Sequence, residues 1–335
     1  DVERSRGLGD VYKRQVIFCS IQFHRSVMNI DKKYYDQIQE NLKNTLQDTK
    51  INAPNKKVGK VRDAYFLENQ VLMVSTDRQS AFDRVLAAIP YKGAVLNLVS
   101  AWWFEQTKDM FPNHLISVPD PNVSLVEKCD VFPVEFVVRG YITGTTDTSL
   151  WTVYNGGARE YCGNSLPEGL KKNDRLGEPM LTPTTKDKVH DKPVSKEEII
   201  DLGLMREDEF NVAAKMSLDL FRYGQKIAKE NGLILVDTKY EIGRGEDGQI
   251  KLVDEIHTPD SSRYWIEKTY QERIAAGEEP QNIDKEFLRL WFAKNCDPYN
   301  DEKLPEAPDD LVVELSERYI LLYELITVSY THLRA

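Results

Sequence analysis

In the stretch LILVDTKYEIG, residues 233–243, Asp237, Lys239 and Glu241 follow four aliphatic residues at alternate positions. On a β-strand alternate side chains share a face, so these three stand in a row. Two carboxylates bracketing an ammonium beside an apolar run cost desolvation energy unless water or a ligand meets them. One reading is a strand end leaving the core with a solvated salt-bridge ladder. The other is a phosphate centre. The apolar run, the turn GRGEDGQ and the segment IKLVDEIHT read as a β-hairpin, which brings Asp254 or Glu255 towards Glu241. Carboxylate oxygens of that kind suit a hard cation such as magnesium, and Lys239 between them suits the phosphate that the cation bridges.

Five further segments carry groups of this type. Lys60 and Arg62 in GKVRD follow Gly59, and alternation puts both on one strand face, as a clamp over phosphates or as a solvated edge strand. The segment lacks the glycine-rich pattern that precedes a helix in P-loops. STDRQSAFD gathers Asp77, Arg78, Ser80 and Asp83 after an apolar strand. In VVRGYITGT, Arg139 emerges at a strand end beside Gly140, Gly144 and Thr145, where its planar fork suits a phosphate or carboxylate. Lys186, His190 and Asp191 lie in a long polar stretch, and no second histidine has metal-ligand spacing with His190. TPDSSRYW offers Asp260, Ser261, Ser262 and Arg263 just beyond the hairpin.

The elements that must position these groups follow from hydrophobic period and turn residues. KKVGKVRDAYFLENQVLMVSTD predicts two short strands with a turn near Glu68 and Asn69. GAVLNLVSAWWFEQTKDMF has helical spacing, with its tryptophan pair in the core. FPVEFVVRGYITGT predicts a buried strand. Residues 155–193, rich in Gly and Pro, predict mostly loop with a binding role. Ser195 to Glu198 matches a capping box, and residues 210–230 form an amphipathic helix stopped by Asn231 and Gly232. Two helices are expected around residues 285–294 and 310–327. The order of elements indicates an α+β protein.

The 335 residues suffice for two domains, and a net charge of -10 argues against a general nucleic-acid binder. No run is long enough to span a bilayer, so no membrane anchor is expected. Four scattered cysteines without paired spacing suggest a reducing, cytoplasmic setting. Both ends look foreign. One choice of codons for residues 10–15, read on the opposite strand, encodes Val328-Ser329-Tyr330-Thr331-His332, as a sequencing adapter present in both orientations would. Residues 1–27 and 328–335 are therefore expected to lie outside the native fold.

GKVRD, STDRQSAFD, VVRGYITGT, DTKYEIG and VDEIHTPDSSRYW, in this order, resemble the SAICAR synthetase family over roughly residues 52–327. The resemblance implies a two-lobed α+β fold, with an antiparallel β-rich N-terminal lobe at 28–134, an α/β C-terminal lobe at 135–327 and ATP in the cleft between. It implies a magnesium-dependent ligase of purine biosynthesis that joins L-aspartate to carboxyaminoimidazole ribotide with ATP, as a monomer or small homo-oligomer. Lys60 and Arg62 match the nucleotide-phosphate strand, Glu135 lies near the adenine-binding strand, and Lys186 and Asp191 match the loop around ATP and the imidazole substrate. Ser80, Arg139, Thr145 and Arg263 match substrate-binding positions. Asp237, Lys239, Glu241 and Asp254 match the metal and phosphate centre, with Lys239, Asp237 and Asp191 as catalytic candidates and Glu241 and Asp254 as metal ligands. The departures from the family pattern lie at 146–173 and at the insertion 266–282. From the residues alone, a magnesium-dependent small-molecule kinase and a non-catalytic nucleotide-binding regulator are the rival readings.

Overall fold

The computed structural model describes residues 32–82, 84–186, 192–283 and 285–328, which divide into two compact units. The expected foreign ends fall almost wholly outside the described residues, as do Asp83, His190 and Asp191.

The first unit takes in residues 32–82, 84–101, 115–127 and 285–328. Its strands β1 (Lys56–Val58), β2 (Arg62–Phe66), β3 (Gln70–Ser75), β6 (Leu115–Asp120) and β7 (Val123–Glu127) form an antiparallel sheet in the order β1-β2-β3-β7-β6. A separate hairpin joins β4 (Arg78–Ala81) to β5 (Arg84–Ala88). Alternation along β2 buries Asp63 and Tyr65 on one face. A buried carboxylate needs partners, and Asp63 has three: Arg78 at 2.6 Å, Lys56 at 3.1 Å and the Thr49 hydroxyl at 2.6 Å. Asp77 accepts from the backbone N–H of Gly93 and of Leu46 at 2.9 and 2.8 Å. Asp77 and Arg78 of the polar cluster are therefore structural ties.

The helices Glu286–Asn295 and Asp309–Tyr323 belong with this unit, whereas the sequence reading placed them with the C-terminal lobe. The reason is a set of long-range bonds. Ser316 donates to the Pro90 carbonyl at 2.7 Å, Tyr319 to Gln79 at 3.2 Å, and Tyr34 to Glu324 at 2.9 Å. The boundary expected at 134/135 falls at 127/128, because the strand beginning at Asp130 pairs within the second unit, and residues 102–114 belong to that unit as well.

The second unit, residues 102–114, 128–186 and 192–283, is built on an antiparallel six-stranded sheet. Its long strands are β8 (Asp130–Tyr141) and β13 (Leu233–Arg244). The order is β11 (Arg175–Leu181), β8, β13, β14 (Ile250–Val253), with β12 (Thr184–Thr185) also on β8 and β15 (Ser262–Ile266) also on β13. The helix Glu207–Glu230 covers one face: Phe136 meets Phe210 at 5.8 Å between ring centres, and a Cβ on Gly140 would run into Phe221 and Gln225. Even-numbered residues of β8 face that helix, so Glu135, Val137 and Arg139 rise from the opposite face. His257 is fully buried, 2.5 Å from the Tyr240 hydroxyl and edge-on to the Trp103 ring, and burial pulls its pKa down to about 3. Ser195 and Glu198 form the expected capping box on the helix Lys196–Asp201. The stretch 155–193 is less open than expected: besides β11 and β12 it holds a small hairpin of β9 (Glu160–Tyr161) and β10 (Asn164–Ser165). Among the described residues, no helix is long and apolar enough to cross a membrane.

Candidate active site

β8 and β13 run antiparallel with Asp237 opposite Arg139, Lys239 opposite Val137 and Glu241 opposite Glu135. Residues opposite one another share a face, so the register, beyond alternation along one strand, assembles the site. Two clusters stand on that face.

The first is a pair of arginines around one acid. Asp237 accepts from Arg263 at 2.5 Å and lies 3.7 Å from Nη1 of Arg139, while Nε of Arg139 donates to Oγ1 of Thr182 at 2.9 Å. Asp237 and Arg139 are buried. Two guanidiniums against one carboxylate leave one positive charge uncompensated within this trio, which favours an anionic ligand.

The second cluster surrounds Lys239. Its ammonium donates to Glu135 at 2.7 Å and to Glu241 at 3.3 Å, and Lys186 donates to the other oxygen of Glu241. Burial opposes the charge on Lys239, but Glu241, Glu135 and Asp254 outweigh it and hold the group protonated, above the ordinary lysine range. Burial likewise raises Glu241, yet Lys239 and Lys186 win and pull its pKa below the ordinary glutamate value. The row seen in the sequence thus divides: Asp237 serves the arginines, while Lys239 and Glu241 serve the second cluster.

Three expectations need correction. The segment IKLVDEIHT is strand only as far as Val253, because Asp254 takes a left-handed backbone with φ of 62°. Glu255 is buried and accepts from the Thr258 hydroxyl at 2.6 Å, while the charge of Asp254 acts on Lys239. Lys60 and Arg62 do not share a strand face. The Gly59 N–H bonds the Arg62 carbonyl at 2.8 Å, closing a tight turn that contains Lys60, and Arg62 opens β2 with its Nε on Ser75 at 3.2 Å. Arg78 fastens that turn by donating to the carbonyls of Gly59 and Lys60.

Lys60, Arg62 and Ser80 belong to the first unit, and Ser80 lies opposite Val85 in the β4–β5 hairpin. Glu135, Arg139, Thr145, Lys186, Asp237, Lys239, Glu241, Asp254 and Arg263 belong to the second, whose sheet brings all but the exposed Thr145 into the two clusters. Thr145 follows Gly144, which turns the chain with φ of 106° at a point where a Cβ would lie 2.4 Å from that of Ser149. Thr182 was missed. Its only signal is the hydroxyl-rich LTPTT beside the long polar stretch.

Among the described residues, no three His, Cys, Asp or Glu side chains gather as a metal-ligand set. Glu241, Glu135 and Asp254 are hard oxygen donors around one lysine, and magnesium that arrives with nucleotide phosphates needs only one or two of them. The donor set fits such an ion.

A family model described as SAICAR synthetase matches residues 55–306. The phosphoribosylaminoimidazole-succinocarboxamide synthase of Legionella pneumophila (strain Lens) is 60% identical over 84% of this chain and 90% of its own length. The chloroplastic enzyme of that name from Arabidopsis thaliana is 57% identical over 87% of this chain and 72% of its own. Among solved structures, the SAICAR synthase of Saccharomyces cerevisiae, complexed with SAICAR, superposes with a TM-score of 0.73 at 32% identity, covering 84% of this chain and 98% of that one.

Proposed function

The chain belongs to the SAICAR synthetase family, ligases of purine biosynthesis, and from that membership we propose that it joins the amine of L-aspartate to the carboxylate of carboxyaminoimidazole ribotide, with conversion of ATP to ADP and phosphate. The observation that carries the reading is the pair of clusters on one sheet face: an anion-seeking arginine pair beside a lysine ringed by carboxylates.

A carboxylate is a poor electrophile, so the reaction runs through an acyl phosphate. A carboxylate oxygen of the ribotide bonds to the γ-phosphorus as ADP leaves; the aspartate amine then bonds to the acyl carbon, loses a proton, and phosphate departs. Arg139 and Arg263 hold the anionic ribotide, and Asp237 between them fixes the spacing of the two guanidiniums. Lys239, kept charged by Glu135, Glu241 and Asp254, stabilises negative charge on the transferring group. Glu241 and Asp254 would hold magnesium, whose chemistry is to neutralise polyphosphate charge. Lys60 and Arg62 contribute to nucleotide phosphates, Ser80 and Thr145 to the ribotide, Lys186 to ATP, and Asp191 to the reacting centre. The free thiols Cys162 and Cys296 fit a reducing compartment such as the cytoplasm.

A coupled ADP-release assay, leaving out ribotide, aspartate and ATP in turn, tests the proposal. All three are required if it holds. ADP release without aspartate, with a phosphorylated product, would establish the kinase instead, and nucleotide binding with no turnover would establish a regulator.

A further inference from the structure

The two segments where the sequence departs from the family pattern, 146–173 and 266–282, meet at one residue. Asn173, the last of the first segment, is buried and takes a left-handed backbone with φ of 69°, which asparagine tolerates better than most side chains. Its backbone N–H donates to the Ile142 carbonyl, just past the end of β8, at 2.6 Å, and its own carbonyl accepts from the Tyr270 hydroxyl at 2.7 Å. The side chain bonds in both directions as well. Oδ1 accepts from the Thr143 hydroxyl at 2.6 Å, and Nδ2 donates to Glu279 at 3.0 Å. A carboxylate only accepts, so the amide nitrogen must face Glu279 and the amide oxygen must face Thr143.

The insertion presents Glu279 from a turn that is closed by its own bonds. After the helix Glu267–Ala275 the chain reverses at Gly277, with φ of 72°. The Glu278 N–H then donates to the Arg273 carbonyl at 2.8 Å, and Nε of Arg273 donates to the Glu279 carbonyl at 2.7 Å. Lys172 takes the second carboxylate oxygen of Glu279 at 2.5 Å, so two consecutive residues, 172 and 173, grip one acid. An unbroken line of hydrogen bonds thus runs from the insertion through Asn173 to Thr143, the residue directly before Gly144 and Thr145.

We propose that the insertion is a clasp for the ribotide-binding turn: held by Glu279, Asn173 is a positioning residue that fixes Thr143 and so sets the Gly144–Thr145 turn where Thr145 meets the substrate anion. The proposal rests on the reading of Thr145 as a ribotide contact.

The test is Asn173→Asp, which keeps the shape and the acceptor for Thr143 but removes the donor and sets two carboxylates against each other. Varying ribotide and ATP separately, the KM for carboxyaminoimidazole ribotide should rise about 10-fold, as for one charge-assisted hydrogen bond, with kcat and the KM for ATP within about twofold. Adding Glu279→Gln supplies the donor from the other side, since its amide nitrogen can meet Asp while its oxygen still accepts from Lys172. The double variant should return the ribotide KM to within about twofold of wild type, and failure of this rescue would overturn the proposal. Thr145→Val serves as the reference. If Thr145→Val raises the ribotide KM and Asn173→Asp does not, the clasp is refuted while the threonine's role stands. If neither raises it, the reading of Thr145 fails and the proposal falls with it. A joint fall in kcat, ATP affinity and melting temperature would make Asn173 a structural support and overturn the proposal. Glu279→Ala, at a side chain 63% exposed, must give the same selective rise in ribotide KM, which keeps the test decisive should Asn173→Asp not fold.

Discussion

Glu241→Gln distinguishes a working phosphate centre from a surface ladder. Glu241 holds Lys186 on one oxygen and Lys239 on the other, and its side chain is only 16% exposed against about a third for each lysine. At 3.3 Å and an effective dielectric near 20, one such pair has a gross attraction of about 5 kcal/mol. Desolvation and the lysines' access to water take back most of this, and removing Glu241 also relieves its repulsion with Glu135 directly opposite. The net loss of stability should be about 1–2 kcal/mol, or roughly 2–6 °C in melting temperature. Turnover should fall much further, by about 100- to 1,000-fold, as when one preorganised electrostatic partner is lost. The acid limb adds a check. Because the folded pKa of Glu241 is depressed, its contribution is fully present above the ordinary value of 4.5 and disappears as pH falls through the folded value. Wild type and variant should therefore converge in stability in acid. ADP release against magnesium concentration, with thermal melts alongside, reads both effects, and the magnesium requirement should weaken specifically. Wild-type turnover in the variant at any magnesium concentration would refute the reasoning and return the stretch to a surface ladder.

Other perturbations follow from single contacts. His257 has a folded pKa of about 3 against an ordinary 6.5, so its contribution to stability is full above 6.5 and declines as pH falls towards 3. Denaturant melts between about pH 4 and 6 should show a slope near 1.4 kcal/mol per pH unit from this residue, absent in His257→Gln. Gly144→Ala forces a Cβ to 2.4 Å from that of Ser149 at positive φ, and should cost about 2–4 kcal/mol by the same melts. Ser195→Ala removes the capping box ahead of Lys196–Asp201 and should lower stability by about 1 kcal/mol while leaving turnover alone.

The face that carries the site was legible in β13 because Val236, Tyr240 and Ile242 are apolar while Asp237, Lys239 and Glu241 alternate with them. Their partners were not legible. Glu135 meets Lys239 only through strand register, Lys186 reaches Glu241 from just beyond β12, and Thr182 binds Arg139 across β8, none of which is encoded locally in either segment. The end of β14 escaped notice for a different reason: apolar residues continue past Val253 into Ile256, and a single acidic residue tolerating a left-handed backbone breaks the strand. The polar cluster after β3 misled in the opposite sense, since Asp77 and Arg78 look like ligand-binding groups but are consumed by buried backbone and Asp63. Short strands such as β9, β10 and β12 exist because neighbours pair with them, and two-residue segments carry no periodicity to read.

The discontinuity of the first unit has a consequence for the newborn chain. Synthesis proceeds from residue 32 through 284 before any of 285–328 exists, so the second unit has every segment it needs while the first still lacks its last helices. Until they emerge, Gln79 and the Pro90 carbonyl wait for Tyr319 and Ser316, partners 240 and 226 residues downstream. Closing loops of that length is slow and leaves apolar surface open to chaperones and to aggregation in the meantime. A chain released at residue 284 would thus carry every segment of one body and an incomplete other, and the incomplete one is the half made first.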